Sequence, residues 1–397
     1  MNNRVLVTGA GTGAANNLVR SLKAGDPSLL VVGCHDDRFV LKQSAADRNY
    51  LIPALTQPGF LGGLRRVVRA EQIDLLVPTA DAEVRGVSRV RDRIPCRAFL
   101  PRHSVIERCQ DKYALARFLR ARGVPAPLTY PVTDPGRVAE SFRRLTATQP
   151  LVWCRVRRGN GSVGAIPVRT PEHARCWIGY WEEMRGVPAT AFTLSEYLPG
   201  RDFGCQSLWT AGRLVLIKTF ERLSYVVRGS QASPVSSLAA LTKTVVEPRV
   251  VGVCAEAIRR LDRRASGVFC VDLKQDASGV PCVTEINAGR FSTSTNMYDL
   301  AGKHNMALTY VHLALGEPVA LGETYDVVED YYMVRDLDTT PGVFHAEAFF
   351  DGILDARGGG RTPGSERCSP ERRRRNGRLQ TAEGPPGMEN RPRDPRP

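Results

Sequence analysis

The first hundred residues alternate short apolar runs with segments of helical periodicity, and this alternation most limits the folds open to the chain. Continuous apolar runs separated by helices are typical of a parallel sheet that is covered on both faces. The pattern therefore predicts an α/β domain over residues 1–103. The predicted strands lie at 4–8, 29–33, 50–53 and 74–78, and the predicted helices at 15–24 and 59–70.

A glycine-rich turn follows the first predicted strand, in the stretch VLVTGAGTGAANN. Gly9, Gly11 and Ala14 fit the G-x-G-x-x-A spacing of Rossmann-like dinucleotide sites. Asp36 or Asp37 follows the second strand, near the place of a ribose-binding acid. The same glycines also suit a tight turn that binds no cofactor. An NAD(P) site and a structural turn both remain open on this motif alone.

The composition is that of a globular protein, with 42% hydrophobic and 24% charged residues among 397. No run of 18 apolar residues occurs, so we expect no membrane span. The N-terminus has no separate apolar segment that would serve as a secretory signal. The ten cysteines are scattered without C-x-x-C pairs, which argues against a zinc site and favours reduced thiols. We expect a cytoplasmic protein.

The net charge of +14 is concentrated near the C-terminus. Residues 356–397 contain eleven Arg against five Asp and Glu, a surplus of six, and are rich in Gly and Pro. Such a segment cannot bury enough apolar surface to offset its ordering entropy, so we expect it to be disordered. The arginine run at 372–375 suits either a polybasic arm or a passive solvated tail, and the passive tail is the favoured interpretation.

Two strands near residue 280 carry the acidic and amide side chains with the clearest chemical pattern. VFCVDLKQD, a turn at Ser278-Gly279 and PCVTEIN predict a hairpin. Alternation along the strands places Asp272 on one polar face and Glu285 with Asn287 on another. If the hairpin pairs these faces, three hard oxygen donors converge, as Mg²⁺ prefers. A solvated acidic hairpin is the alternative.

A second glycine-rich stretch, GNGSVG at 159–164, follows an apolar strand and lies beside Arg155, Arg157 and Arg158. Closely spaced glycines let backbone N–H groups turn toward anionic oxygens, and the guanidinium groups supply positive charge. The spacing is not that of a Walker P-loop. Taken alone, the stretch predicts an anion-binding loop or a simple hairpin turn equally well.

The order of these features resembles the ATP-grasp superfamily, and in particular its carbamoyl-phosphate-synthase-like carboxylate–amine ligases. DKYALARFLRARGVPAP, LVWCRVRRGNGSVG, LSEYLPGRDF and VFCVDLKQD with VTEIN follow one another over about 104–321. The resemblance implies a Rossmann-like parallel sheet followed by two α+β lobes. The implied domains are 1–103, the ATP-grasp lobes 104–192 and 193–325, a C-terminal element 326–355 packed on the core, and the disordered tail 356–397.

The resemblance also implies roles for individual residues. The implied cofactors are ATP and Mg²⁺, with Mn²⁺ as an alternative metal. The implied metal ligands are Asp272, Glu285 and Asn287. The implied nucleotide contacts are Lys112 and Arg155 on the phosphates, the flap residues Gly159, Gly161, Ser162 and Gly164, the adenine hinge Glu196, Tyr197 and Leu198, and Asp202 on the ribose.

Two positions depart from the family pattern. Arg155 stands where the family usually has a second lysine, and a planar guanidinium cannot make the same point contact as an ammonium group. The family commonly reads E-I-N-P-R, whereas this chain reads Glu285-Ile-Asn-Ala-Gly-Arg290, with one extra residue. Arg290 and Arg228 are therefore alternative candidates for the arginine that holds an acyl phosphate. A structural ion pair is the competing interpretation of each.

The implied reaction activates a small-molecule carboxylate with ATP and joins it to an amine, without membrane or nucleic-acid partners. A homodimer is the base-rate expectation. One alternative is an NAD(P)-dependent oxidoreductase or epimerase that uses the first glycine turn. However, no tyrosine before residue 200 has a lysine four positions on, as short-chain dehydrogenases require. Another alternative is a non-catalytic nucleotide- or nucleic-acid-binding protein.

Overall fold

Three β-sheets with flanking helices make up the described part of the chain. The computed structural model describes residues 3–146, 149–159, 161–226, 236, 238–335 and 352–357. The strands are β1 Arg4–Thr8, β2 Leu30–His35, β3 Arg48–Leu51, β4 Leu75–Val77, β5 Thr129–Pro131, β6 Val152–Val156, β7 Ile166–Val168, β8 Phe192–Glu196, β9 Asp202–Thr210, β10 Arg213–Tyr225, β11 Ala239–Thr244, β12 Gly267–Gln275, β13 Pro281–Ala288, β14 Tyr332–Val334 and β15 Ile353–Asp355. The α-helices are α1 Gly13–Gly25, α2 Arg38–Leu41, α3 Phe60–Ala70, α4 Asp81–Val90, α5 His103–Cys109, α6 Lys112–Arg120, α7 Val138–Leu145, α8 Pro171–Arg185, α9 Pro248–Leu261, α10 Thr295–Ala301 and α11 Met306–Leu315.

The first sheet is parallel throughout and has the strand order β15-β3-β2-β1-β4. Val5 and Val7 of β1 point into a core shared with α1 and α11. Leu6 points into the opposite core, which contains α3 residues such as Leu64. The central strands β1, β2 and β4 are thus buried on both faces, which is why their sequences are almost continuously apolar, whereas the outer strands β3 and β15 are partly exposed. The α/β expectation for the N-terminal part is confirmed.

The second and third sheets are antiparallel. The six-stranded sheet has the order β13-β12-β9-β10-β11-β14, and helices α5, α6 and α9 contribute to the core beneath it. The four-stranded sheet has the order β5-β8-β6-β7 and packs on α7 and α8. Both sheets present polar strand ends toward each other, since Arg155 of β6 donates to the Thr284 carbonyl of β13.

Several element boundaries differ from the sequence predictions. The third strand lies at Arg48–Leu51 rather than 50–53, because Arg48 and Asn49 pair with β2. The run SLWTAGRLVLI at 207–217, which its apolar residues predict to be strand, contains the end of β9 and the start of β10, since Ala211 and Gly212 both adopt positive φ and reverse the chain. Gly212 is the turn signal within the run.

Helix α8 was not predicted, although its ends carry recognisable signals. The Thr170 hydroxyl accepts a hydrogen bond from the His173 amide, Pro171 opens the helix, and Gly186 closes it in the left-handed region. These are ordinary helix start and stop residues. Helices α5, α7, α10 and α11 were likewise not predicted. Of the tail 356–397 that was expected to be disordered, residues 356 and 357 are described and the Ala356 amide donates to the Leu51 carbonyl, whereas residues 358–397 lie outside the described part of the chain.

All nine cysteines in the described ranges are free thiols. Within the same ranges, no helix has both the length and the apolar character needed to cross a bilayer.

Candidate functional site

The centre of the candidate site lies on the β12–β13 hairpin. Asp272 and Glu285 face each other in register, and the pairing shifts immediately afterwards at a bulge between Asp272 and Leu273. The Asn287 amide nitrogen donates to the Asp272 carboxylate over 3.2 Å. The hairpin therefore brings the two carboxylates and the amide of the proposed metal set together.

Lys112 approaches these carboxylates from the first turn of α6. Its ammonium group lies 3.6 Å from the Glu285 carboxylate and donates to the Gly159 carbonyl over 2.5 Å. The residue is only 7% exposed, so its charge acts in a poorly solvated environment. Lys112 thus connects the hairpin to the start of the glycine-rich stretch at 159–164.

Asp111 fixes the beginning of α6 and so the place of Lys112. Its carboxylate accepts the Ala114 amide and a 2.7 Å hydrogen bond from Arg157. Burial would raise the pKa of Asp111, but the Arg157 hydrogen bond and the charges of Arg157 and Arg158 outweigh it, and the pKa lies below its ordinary value. The carboxylate is therefore ionised wherever the neighbouring arginines are in place.

The second glycine-rich stretch combines open and packed positions. Gly159 and Gly161 have positive φ, and a Cβ atom at either would meet no atom within 4 Å. Ser162 also adopts a positive φ of 58°. Gly164 differs, because a Cβ there would lie 2.6 Å from the Val156 side chain and its carbonyl accepts the Trp177 indole N–H. The stretch is therefore anchored at Gly164 and open at Gly159 and Gly161.

Arg155 of β6 points from the four-stranded sheet into the same space. Its side chain donates to the Thr284 carbonyl over 3.1 Å, while its buried Nε has no hydrogen-bond partner among the described residues. Burial lowers the pKa of Arg155, and the charges of Glu285 and Asp272 oppose that shift. An arginine stays protonated under such a shift. Arg155 is thus a buried cation with unused donor capacity.

Arg222 is a site residue that the sequence analysis missed. It donates to Asp202 over 2.9 Å and also contacts Asp272, so it joins the proposed ribose acid to the proposed metal ligand. Although burial opposes it, the charges of Asp272 and Asp202 raise its pKa well above the ordinary value. The sequence feature that could have indicated Arg222 is the charged pair Glu221-Arg222, which follows the largely apolar run LVLIKTF.

Arg290 reaches the site despite the extra residue before it. Gly289 has a φ of 93°, a conformation that favours glycine, and this bend absorbs the extra residue. Arg290 then donates to the Asp81 carboxylate over 2.5 Å and to the Asn287 amide oxygen over 2.7 Å. Asp81 was also missed, although it follows β4 at the edge where parallel sheets commonly bind ligands. Arg228, the alternative, lies outside the described residues.

The proposed adenine hinge lies at the end of β8. The Glu196 carboxylate accepts the Leu128 amide over 3.2 Å, and the Tyr197 ring lies 6.5 Å from that of Trp153. Asp202 at the start of β9 accepts hydrogen bonds from Arg222 and from the Tyr225 hydroxyl. Burial, followed by the Asp202 charge, raises the pKa of Tyr225, so this hydroxyl stays protonated and donates.

Two adjoining cavities occupy the space between these groups. The first, of about 170 Å³, lies between the hairpin and the second glycine-rich stretch and is lined by Lys112, Arg155, Gly159, Gly161, Ser162, Arg222, Asp272, Glu285, Asn287 and Arg290. The second, of about 220 Å³, extends to the hinge and is lined by Arg155, Ser162, Glu196, Tyr197, Leu198, Asp202, Arg222, Asp272 and Glu285. Gly164 lines neither cavity.

The donor set on the hairpin fits a hard divalent cation. Glu285 accepts no hydrogen bond from the described residues, and the Asp272 oxygen that faces Asn287 accepts only that amide. No cluster of three or more His, Cys, Asp or Glu side chains occurs in the described ranges. A metal here would use two carboxylates and oxygens from substrate, which is how Mg²⁺ is usually bound, and the Asn287 amide oxygen would join them by giving up its hydrogen bond from Arg290.

The first glycine-rich turn has a different structural basis. A Cβ atom at Gly11 would lie 1.8 Å from the Val40 carbonyl oxygen, so α2 packs directly on the turn. Asp37 caps α2 by accepting the Phe39 and Val40 amides, and Asp36 lies 3.0 Å from His35. The residues expected for an NAD(P) site are thus engaged in local packing and capping.

Comparison with known proteins extends this picture. No protein-family model matches the sequence. The structure is similar to an L-amino acid ligase from Bacillus licheniformis, with 14% identity, a TM-score of 0.60, and 79% of this chain and 74% of the other covered. It is also similar to the MgADP-bound biotin carboxylase domain dimer of Hydrogenobacter thermophilus 2-oxoglutarate carboxylase, with 14% identity, a TM-score of 0.62 and coverages of 81% and 71%.

A third similar structure is the ATP complex of carboxyaminoimidazole ribonucleotide synthase from Aspergillus clavatus. The identity is 15%, the TM-score 0.60, and the coverage 82% of this chain and 79% of the other. These matches extend across all three sheets rather than over one motif. The fold of this chain is therefore the one that these three proteins share, the ATP-grasp fold.

Proposed function

We propose that this protein is a Mg²⁺- and ATP-dependent ligase that activates a carboxylate as an acyl phosphate and joins it to an amine. The proposal depends above all on one observation, the meeting of Asp272 and Glu285 with buried cations around the first cavity. Fixed cations and hard oxygen donors suit phosphoryl transfer, where catalysis is mostly positioning and charge neutralisation. The shared fold supports the proposal, since two of the similar structures hold ATP or MgADP.

The two adjoining cavities suggest how ATP would lie. In this proposal Glu196, Tyr197 and Leu198 contact the adenine in the second cavity, and Asp202 contacts the ribose. The phosphates extend into the first cavity toward Lys112 and Arg155. Gly159, Gly161, Ser162 and Gly164 form a flap over them, with Gly164 as its anchored end.

Asp272, Glu285 and Asn287 would hold Mg²⁺. When bound, the ion would neutralise charge on the phosphates. Arg222 contacts Asp272. Because Arg222 is a permanent cation, it balances part of the carboxylate charge at this place and is a candidate to contact an anionic group of the substrate.

The proposed reaction has two steps, transfer of the γ-phosphoryl group to the carboxylate and attack of the amine on the acyl phosphate. An oxygen of the substrate carboxylate attacks the γ-phosphorus, and the bond to the β-phosphate oxygen breaks, so that ADP leaves. The neutral amine nitrogen then attacks the acyl carbon, the bond from carbon to the phosphate oxygen breaks, phosphate leaves with the electron pair, and the nitrogen releases one proton to solvent to give the amide. Arg290 is proposed to hold the acyl phosphate, with Arg222 nearby. Arg228 remains a proposed alternative outside the described residues.

The remaining expectations form part of this proposal. These are the domain boundaries near residues 103, 192, 325 and 355, a cytoplasmic location, a homodimer, and the absence of nucleic-acid partners. The NAD(P) alternative has less support, because Gly11 is packed against the Val40 carbonyl.

The test is a phosphate-release screen of the full chain with ATP, Mg²⁺, a panel of carboxylates and pooled amines. Hydroxylamine replaces the amines in parallel wells, because it converts an acyl phosphate into a hydroxamate that can be detected directly. We expect one group of carboxylates to give both signals, and mass spectrometry then identifies the amide.

The blank is Asp272→Asn, which removes a metal-binding charge and should lower turnover at least about 1000-fold. Glu256→Gln, an exposed carboxylate on α9 paired with Arg260, is the matched control and should keep wild-type turnover. No carboxylate-dependent ADP, phosphate or hydroxamate from the wild-type protein would contradict the proposed function.

A further inference from the structure

Helix α8 carries a second apolar stripe, which faces away from the core of the four-stranded sheet. Its inner stripe, formed by Ala174, Ile178 and Trp181, is buried in that core. The second stripe has helical spacing too and consists of Cys176, Trp177, Tyr180 and Met184. Tyr180 is 44% exposed and Met184 is 65% exposed. A surface helix needs only one apolar stripe to pack on its own core, so the second stripe is available to a partner.

An open groove of about 390 Å³ lies between the second stripe and β7, the edge strand of the sheet. We call it the α8–β7 groove and define it by Ile166, Pro167, His173, Cys176, Trp177 and Tyr180. The rings of Trp177 and Tyr180 stack with their centroids 6.0 Å apart, and the Trp177 indole N–H donates to the Gly164 carbonyl. The aromatic wall of the groove is therefore held in place by its own contacts, which lowers the entropy cost of binding a partner.

Strand β7 itself does not suit pairing with a further strand. It has only three residues, Ile166–Val168, and Pro167 at its centre has no N–H to donate. A proline on an edge strand opposes the addition of another strand. A partner would therefore pack on the groove through side chains, and Trp and Tyr are the side chains that most often dominate the energy of such contacts.

The two ends of the α8–β7 groove carry opposite charges. Arg169 directly follows β7, at the end where α8 begins. Glu183 lies in the last turn of α8, at the opposite end, and is seven residues from Cys176, which places it on the same side of the helix. Both side chains are exposed, and neither has an ion pair or a side-chain hydrogen bond among the described residues. The groove thus has an unpaired cation at one end and an unpaired anion at the other.

A second copy of this chain offers these charges in the required order. If a two-fold axis crosses the groove, the two α8 helices run antiparallel and the same surface of each copy contacts the other. Arg169 of each copy then lies at the end where the other copy presents Glu183. Met184, next to Glu183, then lies near the His173 end of the other copy's groove. The surface is thus complementary to itself in both charge and apolar character.

We propose that the α8–β7 groove is a self-association surface, through which two copies of this chain form a two-fold dimer with antiparallel α8 helices. The base-rate expectation of a homodimer assigned no surface to it, and this groove supplies one. The inference does not depend on the proposed ligase function. Because Trp177 contacts Gly164, the dimer contact lies next to the anchored end of the second glycine-rich stretch in each copy.

Sedimentation velocity of the full chain over a series of concentrations tests the proposal. We expect wild type to form a dimer whose fraction rises with concentration. Tyr180→Glu puts a charge at the centre of the second stripe and should raise the dimer dissociation constant at least about 100-fold. Met184→Glu changes a more exposed side chain, so the fold tolerates it, and should raise the constant about tenfold. Leu300→Glu, at an exposed apolar position on α10 that does not line the groove, is the matched control and should keep the wild-type constant.

A charge exchange tests the antiparallel arrangement. Arg169→Glu alone and Glu183→Arg alone each place like charges at both ends of the dimer contact, and each should raise the dissociation constant about tenfold. The double variant restores opposite charges at both ends and should return to within about threefold of wild type. A local structural effect of either substitution would not be reversed by the other.

Three results would overturn the inference. These are a wild type that stays monomeric at every concentration, a dimer that Tyr180→Glu and Met184→Glu leave unchanged, and a double charge exchange that gives no recovery. If monomeric wild type binds anilinonaphthalene sulfonate and Tyr180→Glu does not, the groove belongs to a small apolar ligand and the inference is likewise wrong. The sedimenting mass is measured without substrate, so failure of the ligase proposal would change none of these results.

Discussion

The two glycine-rich turns look alike in sequence but differ in what surrounds them. At Gly11 the missing side chain leaves room for the backbone of α2, with the Val40 carbonyl 1.8 Å from an added Cβ. At Gly159 and Gly161 an added Cβ would meet only open space. The first turn therefore uses glycine for close backbone packing, and the second uses it beside a cavity lined by cations. Glycine spacing alone does not distinguish a phosphate-binding loop from a packed turn.

The largest expected effect is on folding, at the first turn. Gly11→Ala forces a Cβ into a backbone carbonyl and should lower the free energy of unfolding by about 3–5 kcal/mol, from strain and overpacking together. Gly13→Ala, two residues on in helix α1 with open space around it, should change stability by less than about 1 kcal/mol. Urea denaturation of both variants measures the difference. Equal stability of the two variants would show that α2 does not pack on the turn.

The next largest effect concerns nucleotide binding at the second turn. Lys112→Met keeps the aliphatic stem but removes the charge beside Gly159 and Glu285. We expect ATP to bind about 100-fold more weakly in the presence of Mg²⁺, about 2.7 kcal/mol. Calorimetric titration gives the dissociation constant. Arg117→Met on the exposed face of α6 is the control, and an unchanged ATP affinity in Lys112→Met would place the phosphates elsewhere.

A smaller contrast is expected within the second turn itself. Gly161→Ala should cost about 1 kcal/mol of stability, because the residue has a positive φ but free space. Gly164→Ala should cost about 2 kcal/mol, since its Cβ would lie 2.6 Å from the Val156 side chain. Thermal unfolding of the two variants compares the costs. A greater loss in Gly161→Ala would mean that the open part of the loop is packed after all.

The smallest expected effect is the change in melting temperature when the dinucleotides NADH and NADPH are added. ATP with Mg²⁺ at about 100 times its dissociation constant should stabilise the protein by about 2.7 kcal/mol and raise its melting temperature. NADH and NADPH at the same concentrations should leave the melting temperature unchanged, because Gly11 and Asp37 are engaged by α2. Saturable stabilisation by NADH, but not by ATP, would reverse the comparison between the two turns.

Much of the fold could be predicted from local sequence. The apolar runs of the parallel sheet and the hairpin around Ser278-Gly279 correspond to observed strands, because continuous or alternating apolar residues report the burial of strand faces. The turn at Ala211-Gly212 could not be predicted in this way, since its signal is a single glycine between two apolar runs rather than a change in their pattern. A positive φ at alanine leaves little trace in sequence.

The candidate site also has contacts that the local sequence predicts and contacts that it does not. The proximity of Asp272, Glu285 and Asn287 follows from strand alternation and a short turn, which are local properties. Arg222 meets Asp272 across 50 positions, and Arg290 meets Asp81 across 209. The first contact depends on the strand order of the six-stranded sheet and the second on how the parallel sheet packs beside it, and no short stretch specifies either.

The sequence by itself determined the parallel sheet, the hairpin that carries the carboxylates and the two places where the backbone bends at glycines. It did so because burial periodicity and the conformational freedom of glycine act within a few residues of one another. Only the tertiary structure decided which glycine turn is filled by protein and which borders a cavity. It also decided that Arg290 would be held by Asp81 at the start of α4, because charge pairing depends on distance in space and not on separation along the chain.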